Sequence, residues 1–120
     1  MTEPEINPVS LAPGEGLWVE TPVGGVLTFK VTAEQSNGAL TAAETVAAPG
    51  EGPPLHVHPD EDELIYILEG AIRIKPADEM IDAAAGSFVF VPRGTAHTWQ
   101  NVGAAPARFY FAVMPAAAQL

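Results

Sequence analysis

The chain has 120 residues and a mass of 12.5 kDa, one domain's worth of polymer, large enough to bury upward of about 60% of its unfolded surface without a covalent staple. It contains no cysteine, which excludes disulfide scaffolds, thiol catalysis, iron–sulfur clusters and cysteine-ligated zinc. Fifteen acidic against five basic side chains give a net charge of −10 and a pI near 4.4, which repels phosphate backbones and anionic lipid surfaces, so neither nucleic acid nor membrane is an expected partner.

In chain order, residues 1–16, with Pro4, Pro8 and Pro13, read as an N-terminal arm that either wanders or lies against a partner subunit. The start has no basic residue and no apolar core before Pro8, so no secretory signal is expected and the chain is expected in the cytoplasm. From there, 12 prolines and 11 glycines interrupt every stretch that could make a helix of three turns. The pattern is all-β. Short strands are predicted over residues 17–20, 26–32, 39–47, 63–68, 71–75, 87–91, 97–101 and 107–113. Turn residues separate them at Gly24-Gly25, Ser36-Asn37-Gly38, residues 49–54, Glu69-Gly70, Ala85-Gly86, Pro92-Arg93-Gly94 and residues 103–106. Evenly spaced short strands with such punctuation predict a sandwich or small barrel over residues 17–115, followed by a tail over 116–120.

The three histidines are His56, His58 and His97. Side-chain direction repeats every second residue along an extended strand, so His56 and His58 project to one face. Glu63 stands across the segment Pro59-Asp60-Glu61-Asp62 at the head of an apolar strand, where its carboxylate can face the same interior. An antiparallel neighbour can bring His97 into the same cluster. Three neutral imidazoles and one carboxylate suit a divalent first-row ion: iron, manganese, nickel, cobalt, copper or zinc. Four protein ligands on a six-coordinate ion leave positions for substrate, which a catalytic site needs and a structural site lacks.

With these residues in place the sequence resembles a small cupin. The pattern G-x5-H-x-H-x4-E-x6-G is matched by Gly50, His56, His58, Glu63 and Gly70, and G-x5-P-x-G-x2-H-x3-N by Gly86, Pro92, Gly94, His97 and Asn101. Fifteen residues separate the two blocks. The resemblance implies a double-stranded β-helix, or jelly-roll barrel, a metal held by His56, His58, Glu63 and His97, and a homodimer. The motif glycines fall at strand junctions where positive φ or close backbone approach is expected, and Asn101 is expected to tie down a neighbouring loop rather than ligate.

Other residues have blander expectations. Asp60, Glu61 and Asp62 read as a solvated acidic loop, Arg93 as a solvated turn residue, and Glu44 as exposed at an edge in preference to the alternative of a carboxylate inside the barrel. The strand beginning at Glu63 is expected to be covered on both faces, Ile65 and Ile67 on one, Leu64, Tyr66 and Leu68 on the other. Aromatic residues are expected in the core or at a subunit contact, except Trp99, which shares a face with His97 and is expected to line an apolar substrate pocket beside the ion.

Within the family the chain is similar to quercetin dioxygenase-like cupins through residues 53–58 and 87–94. That likeness implies a metal-dependent dioxygenase-type oxidoreductase acting on a small apolar or aromatic, flavonol-like substrate, with Glu63 as ligand and catalytic general base. Two alternatives stand beside it: a redox-silent isomerase, cyclase or lyase, and a non-catalytic small-molecule-binding cupin.

Overall fold

The computed structural model describes residues 6–21 and 25–116. The first five residues of the arm, Gly24 of the expected Gly24-Gly25 turn and the last four residues of the tail lie outside the described residues. The strands are β1 (Leu17–Glu20), β2 (Val26–Val31), β3 (Thr41–Ala47), β4 (Asp62–Glu69), β5 (Ala71–Pro76), β6 (Ile81–Ala84), β7 (Phe88–Val91), β8 (His97–Gln100) and β9 (Ala107–Met114). None of the described residues is helical, and no helix is long and apolar enough to cross a membrane.

Eight of these strands coincide with the predicted ones to within a residue or two at each end. The ninth, β6, was not predicted. Its sequence, Ile-Asp-Ala-Ala, has a single β-branched residue, and its strand character comes from its partner: Ile74 pairs with Ile81, Ile72 with Ala83, and Arg73 with Asp82. The Arg73 guanidinium grips the Asp82 carboxylate across that last pair, Nε to Oδ1 at 2.8 Å.

All named pairings are antiparallel. One sheet has six strands in the order β1-β2-β3-β9-β4-β7 and the other three in the order β6-β5-β8. Period-2 alternation sends Ile65 and Ile67 of β4, Ile72 and Ile74 of β5, Val89 and Val91 of β7 and Phe109 of β9 into one core. Each such side chain contributes about 1.5–3 kcal/mol by leaving water. The jelly-roll expectation holds.

The expectation that β4 is covered on both faces does not. Glu63, Ile65 and Ile67 are buried, but Tyr66 on the opposite face is 41% exposed. The second sheet covers only the inner face, and on the outer one the arm residues Val9, Leu11 and Pro13 stand across a groove from Tyr66 without burying it. Glu44 is likewise corrected: it is buried, not edge-exposed. Arg108 Nη1 donates to its Oε1 at 2.7 Å, and Lys30 Nζ lies 3.7 Å from its Oε2. Two cations from β2 and β9 make that burial tolerable, and neither pairing is visible in the sequence of β3.

Candidate metal centre

The centre is assembled at the junction of the two motif blocks. His56 forms a single β-bridge with His97, the opening residue of β8, so the extended backbone at His56 is a one-rung extension of that sheet. His58 follows in the loop, its carbonyl accepting from Gly94 N at 2.9 Å. Gly94 has φ +80°, a conformation in which a side chain is strained, and this turns the loop so that its amide meets His58.

Glu63 enters from β4, opposite Val91 of β7 and Val113 of β9, where alternation points it inward beside Ile65. Its predecessor Asp62 is not in a solvated loop, as was expected, but in β4. Asp62 Oδ1 accepts from Arg93 N at 2.9 Å and from Arg93 Nε at 3.2 Å, and its Oδ2 from Nη2 at 3.1 Å. Arg93 is therefore tethered rather than freely solvated. The pair locks the turn before His97 to the strand that carries Glu63, and it holds the Asp62 carboxyl below its ordinary range, chiefly through the Arg93 side chain.

One ligand atom from each of His56, His58, Glu63 and His97 lies within 4.8 Å of the others. That is close to the roughly 4.2 Å expected of two donors on opposite sides of one ion at bonds of about 2.1 Å. Glu63 Oε1 stands 3.4 Å from both His58 Nε2 and His97 Nε2. His56 Nδ1 lies 3.0 Å from the Pro54 carbonyl, and His97 Nδ1 lies 2.9 Å from that of Thr95. A carbonyl only accepts, so each Nδ1 carries the proton and each neutral ring turns its Nε2 lone pair toward the cluster.

The donor set fits a cation. His97 is 1% exposed, and its Nε2 is buried without a hydrogen bond, a condition that costs about 1–3 kcal/mol unless a ligand takes up the lone pair. Burial lowers the affinity of His56 for a proton, with His97 adding to the effect against the opposing pull of the Pro54 carbonyl. For His97 burial acts the same way, but the Glu63 carboxylate and the Thr95 carbonyl together outweigh it and raise the pKa. A bound cation would take the place of that proton.

Above the cluster lies a cavity of about 460 Å3, walled by Val19, Leu27, Phe29, Pro53, Pro54, Trp99 and Phe111, with His56, His58 and Glu63 on its surface. Trp99 is among the residues lining this cavity, and its ring meets Phe109 edge-on at 5.0 Å. Phe29 and Phe111, expected only as core or contact residues, are cavity walls. Their role depends on the register Phe29↔Ala43↔Phe111, which no single strand reveals. Among the described residues, no lysine or arginine lines this cavity.

Asn101, 1% exposed, is the staple beneath the site. Its Nδ2 donates to the Ala47 and Ala105 carbonyls at 3.0 and 2.9 Å, and its Oδ1 accepts from Gly103 N at 2.9 Å. Its backbone holds Gly50 and Glu51 of the loop that leads to His56. In that loop a Cβ at Gly52 would collide with the Trp99 carbonyl oxygen, so the close approach to β8 requires glycine.

Two facing antiparallel sheets with a three-histidine, one-carboxylate cluster at the mouth define a jelly-roll with a candidate metal site. The family model for the cupin domain matches residues 43–113, and the chain belongs to the cupin family.

Among its relatives, the tetracenomycin polyketide synthase protein TcmJ of Streptomyces glaucescens is 36% identical over 70 residues, covering 58% of this chain and 47% of that protein. The polyketide synthase CurC of Streptomyces cyaneus is 30% identical over 91 residues, covering 76% of this chain and 58% of that one. The chain thus spans only about half to three-fifths of the length of these curated relatives. Among solved structures, an RmlC-like cupin from Shewanella frigidimarina superposes with TM-score 0.76 over 91% of both chains at 16% identity. TT1209 from Thermus thermophilus superposes with TM-score 0.73 over 82% of this chain and 90% of its own, at 23% identity. These two likenesses bear on the fold alone.

Proposed function

We propose that the protein is a metal-dependent enzyme acting on a small, largely apolar, enolisable ring compound of polyketide type. The observation that carries the reading is the opening of the four-ligand cluster into an apolar, aromatic-walled cavity with no cationic side chain. Such a wall favours a neutral ring over a multiply charged acid, because an anion entering it loses hydration without gaining a partner. The polyketide synthase relatives supply the chemical class.

A bound divalent cation would supply Lewis acidity toward an enol or phenol oxygen. His56, His58, His97 and Glu63 would hold it. Glu63, only 7% exposed and facing the cavity, is placed to accept the proton lost on enolisation and to return it to a neighbouring carbon or oxygen. Trp99, Phe29 and Phe111 clamp the ring and keep water off it. These roles suit a ring-closing or isomerising step without oxidation.

An oxygen-dependent ring cleavage is the second reading, favoured by a donor set equally suited to iron, manganese, nickel, cobalt or copper. Turnover of enolisable aromatic and pre-aromatic compounds by the metal-loaded protein, measured under air and under argon, separates the two. Equal rates support the redox-silent reaction, and a rate that vanishes under argon overturns it in favour of the dioxygenase. Tight ligand binding with no turnover under either gas identifies a binding protein and overturns both.

A further inference from the structure

The inner face of the six-stranded sheet carries a polar side chain that neither packing nor the four-ligand cluster accounts for. Register lines up Val19, Leu27, Thr45, Phe109 and Ile67 on one rung across β1, β2, β3, β9 and β4, apolar throughout except for Thr45. Thr45 is 4% exposed. Its hydroxyl has no hydrogen-bond partner among the described residues, yet it is not sealed off as His97 Nε2 is. The space it opens to is the cavity above the cluster, which Thr45 lines and Thr41, the other buried threonine of β3, does not. An unpartnered hydroxyl so deep in the fold costs stability, and valine, nearly the same in shape, would avoid that cost.

Glu20 and Thr21 also line the cavity, but Glu20 is exposed and Thr21 Oγ1 donates to the Gly25 carbonyl at 3.4 Å. Thr45 is thus the buried, uncommitted hydrogen-bonding group of the wall, able both to donate and to accept. Its place along the cavity follows from the register. Glu63 pairs with Val113 and Val113 with Thr41, so Thr45 stands two strands across and four residues along from Glu63. At about 3.3 Å per residue and about 4.8 Å per strand that is roughly 16 Å between backbones, a gap that the reach of the two side chains and the curvature of the sheet shorten. Phe29 and Phe111 share the rung between, so the cavity is polar at its two ends and aromatic in the middle.

Taking the cavity as the substrate site proposed above, on which this rests, we infer that Thr45 is a substrate-binding residue that hydrogen-bonds a second oxygen of the ring compound, at the end remote from the four-ligand cluster. The substrate is thereby narrowed to a molecule of about two or three fused rings with oxygen functions at both ends. A single ring held at the cluster does not reach Thr45, and a fused hydrocarbon without the far oxygen leaves its hydroxyl unpaired. A site that bonds a substrate hydroxyl discriminates against the analogue lacking it more sharply than an apolar wall discriminates by size.

Binding of emodin and chrysophanol to the zinc-loaded full chain, followed by quenching of tryptophan emission at a pH below the pKa of the emodin hydroxyls, tests this. The two anthraquinones share the hydroxy-ketone edge that a cation can take and differ in one hydroxyl, which emodin carries away from that edge. Wild type is expected to bind emodin about tenfold more tightly. Thr45→Val, which keeps the shape and removes the hydroxyl, should bring that ratio to about one, and Thr45→Ser should restore most of it. A preference for emodin that survives Thr45→Val overturns the inference, as does an equal loss of affinity for both compounds in that variant, which would mark a packing role. Tight binding of both compounds by wild type with a ratio near one overturns this inference alone, whereas failure of wild type to bind either overturns the reading of the cavity as a ring-compound site and this inference with it.

Discussion

His56 and His97 exchange both of their backbone hydrogen bonds, His56 N to His97 O at 3.0 Å and His97 N to His56 O at 2.8 Å. Two imidazoles from separate sequence blocks are thereby held on adjacent backbones, their ring centroids 4.4 Å apart. The ladder brings these two candidate donors together through the backbone alone, so a bound ion would meet a largely formed site and its free energy would add to that of folding.

Replacement of His97 by alanine is therefore expected to lower metal affinity by more than the ten- to hundredfold associated with loss of an outer partner. Elemental analysis after dialysis at neutral pH gives the occupancy, and a melt with and without a chelator gives the linkage. Wild type should lose melting temperature on chelation and His97→Ala should not respond. An unchanged metal content in the variant would remove His97 from the ligand set.

Glu63→Gln keeps the shape of the side chain but removes its negative charge and its ability to take a proton. Turnover should fall by about 10²–10⁴ even when metal is restored by excess in the buffer. Activity recovering fully with metal would show that Glu63 serves only as a ligand.

Asn101→Ala leaves the Ala47 and Ala105 carbonyls and the Gly103 amide without their side-chain partner. Given the cost of buried unsatisfied groups, the loss should be about 2–4 kcal/mol. Urea unfolding measures it, and a change below about 0.5 kcal/mol would mean that water replaces the amide.

The Asp62–Arg93 pair makes a prediction with a definite sign. Arg93 lowers the Asp62 pKa below 3.8, so its contribution is present above that value and is lost as pH falls through the lowered folded pKa. Arg93→Ala should thus melt below wild type near neutrality, and the two curves should converge in acid. A gap that widens on acidification would contradict the assignment.

Gly52→Ala would drive a Cβ against the Trp99 carbonyl and force the loop away from β8. Overpacking of this kind costs about 1–3 kcal/mol, and since the loop leads to His56, metal affinity should fall with stability. Native affinity in a destabilised variant would show that the loop and the centre move independently.

Much of this molecule was legible before folding was considered. Alternation and turn residues placed eight of the nine strands, because period-2 patterning and the backbone demands of glycine and proline are local properties. Parity along an extended chain put His56 and His58 on one face, and the motif spacing pointed to Glu63 and His97 as their candidate partners, the four residues whose ligand atoms lie within 4.8 Å of one another. Short-range signals failed at β6, whose alanines become a strand only against Ile72 and Ile74.

Glu44 marks the other boundary. Along Thr-Ala-Ala-Glu-Thr-Val-Ala both faces of β3 are nearly equal in polarity, so pattern alone could not say that the carboxylate is buried. Lys30 and Arg108 decide it, arriving from β2 and β9. The cavity walls and the exposed outer face depend on register in the same way. Local chemistry in the sequence determined eight of the nine described strands and the four metal-binding candidates. Which faces are covered, by what, and with what charge beside them was decided only by tertiary pairing, because burial belongs to the contact between strands and not to either strand alone.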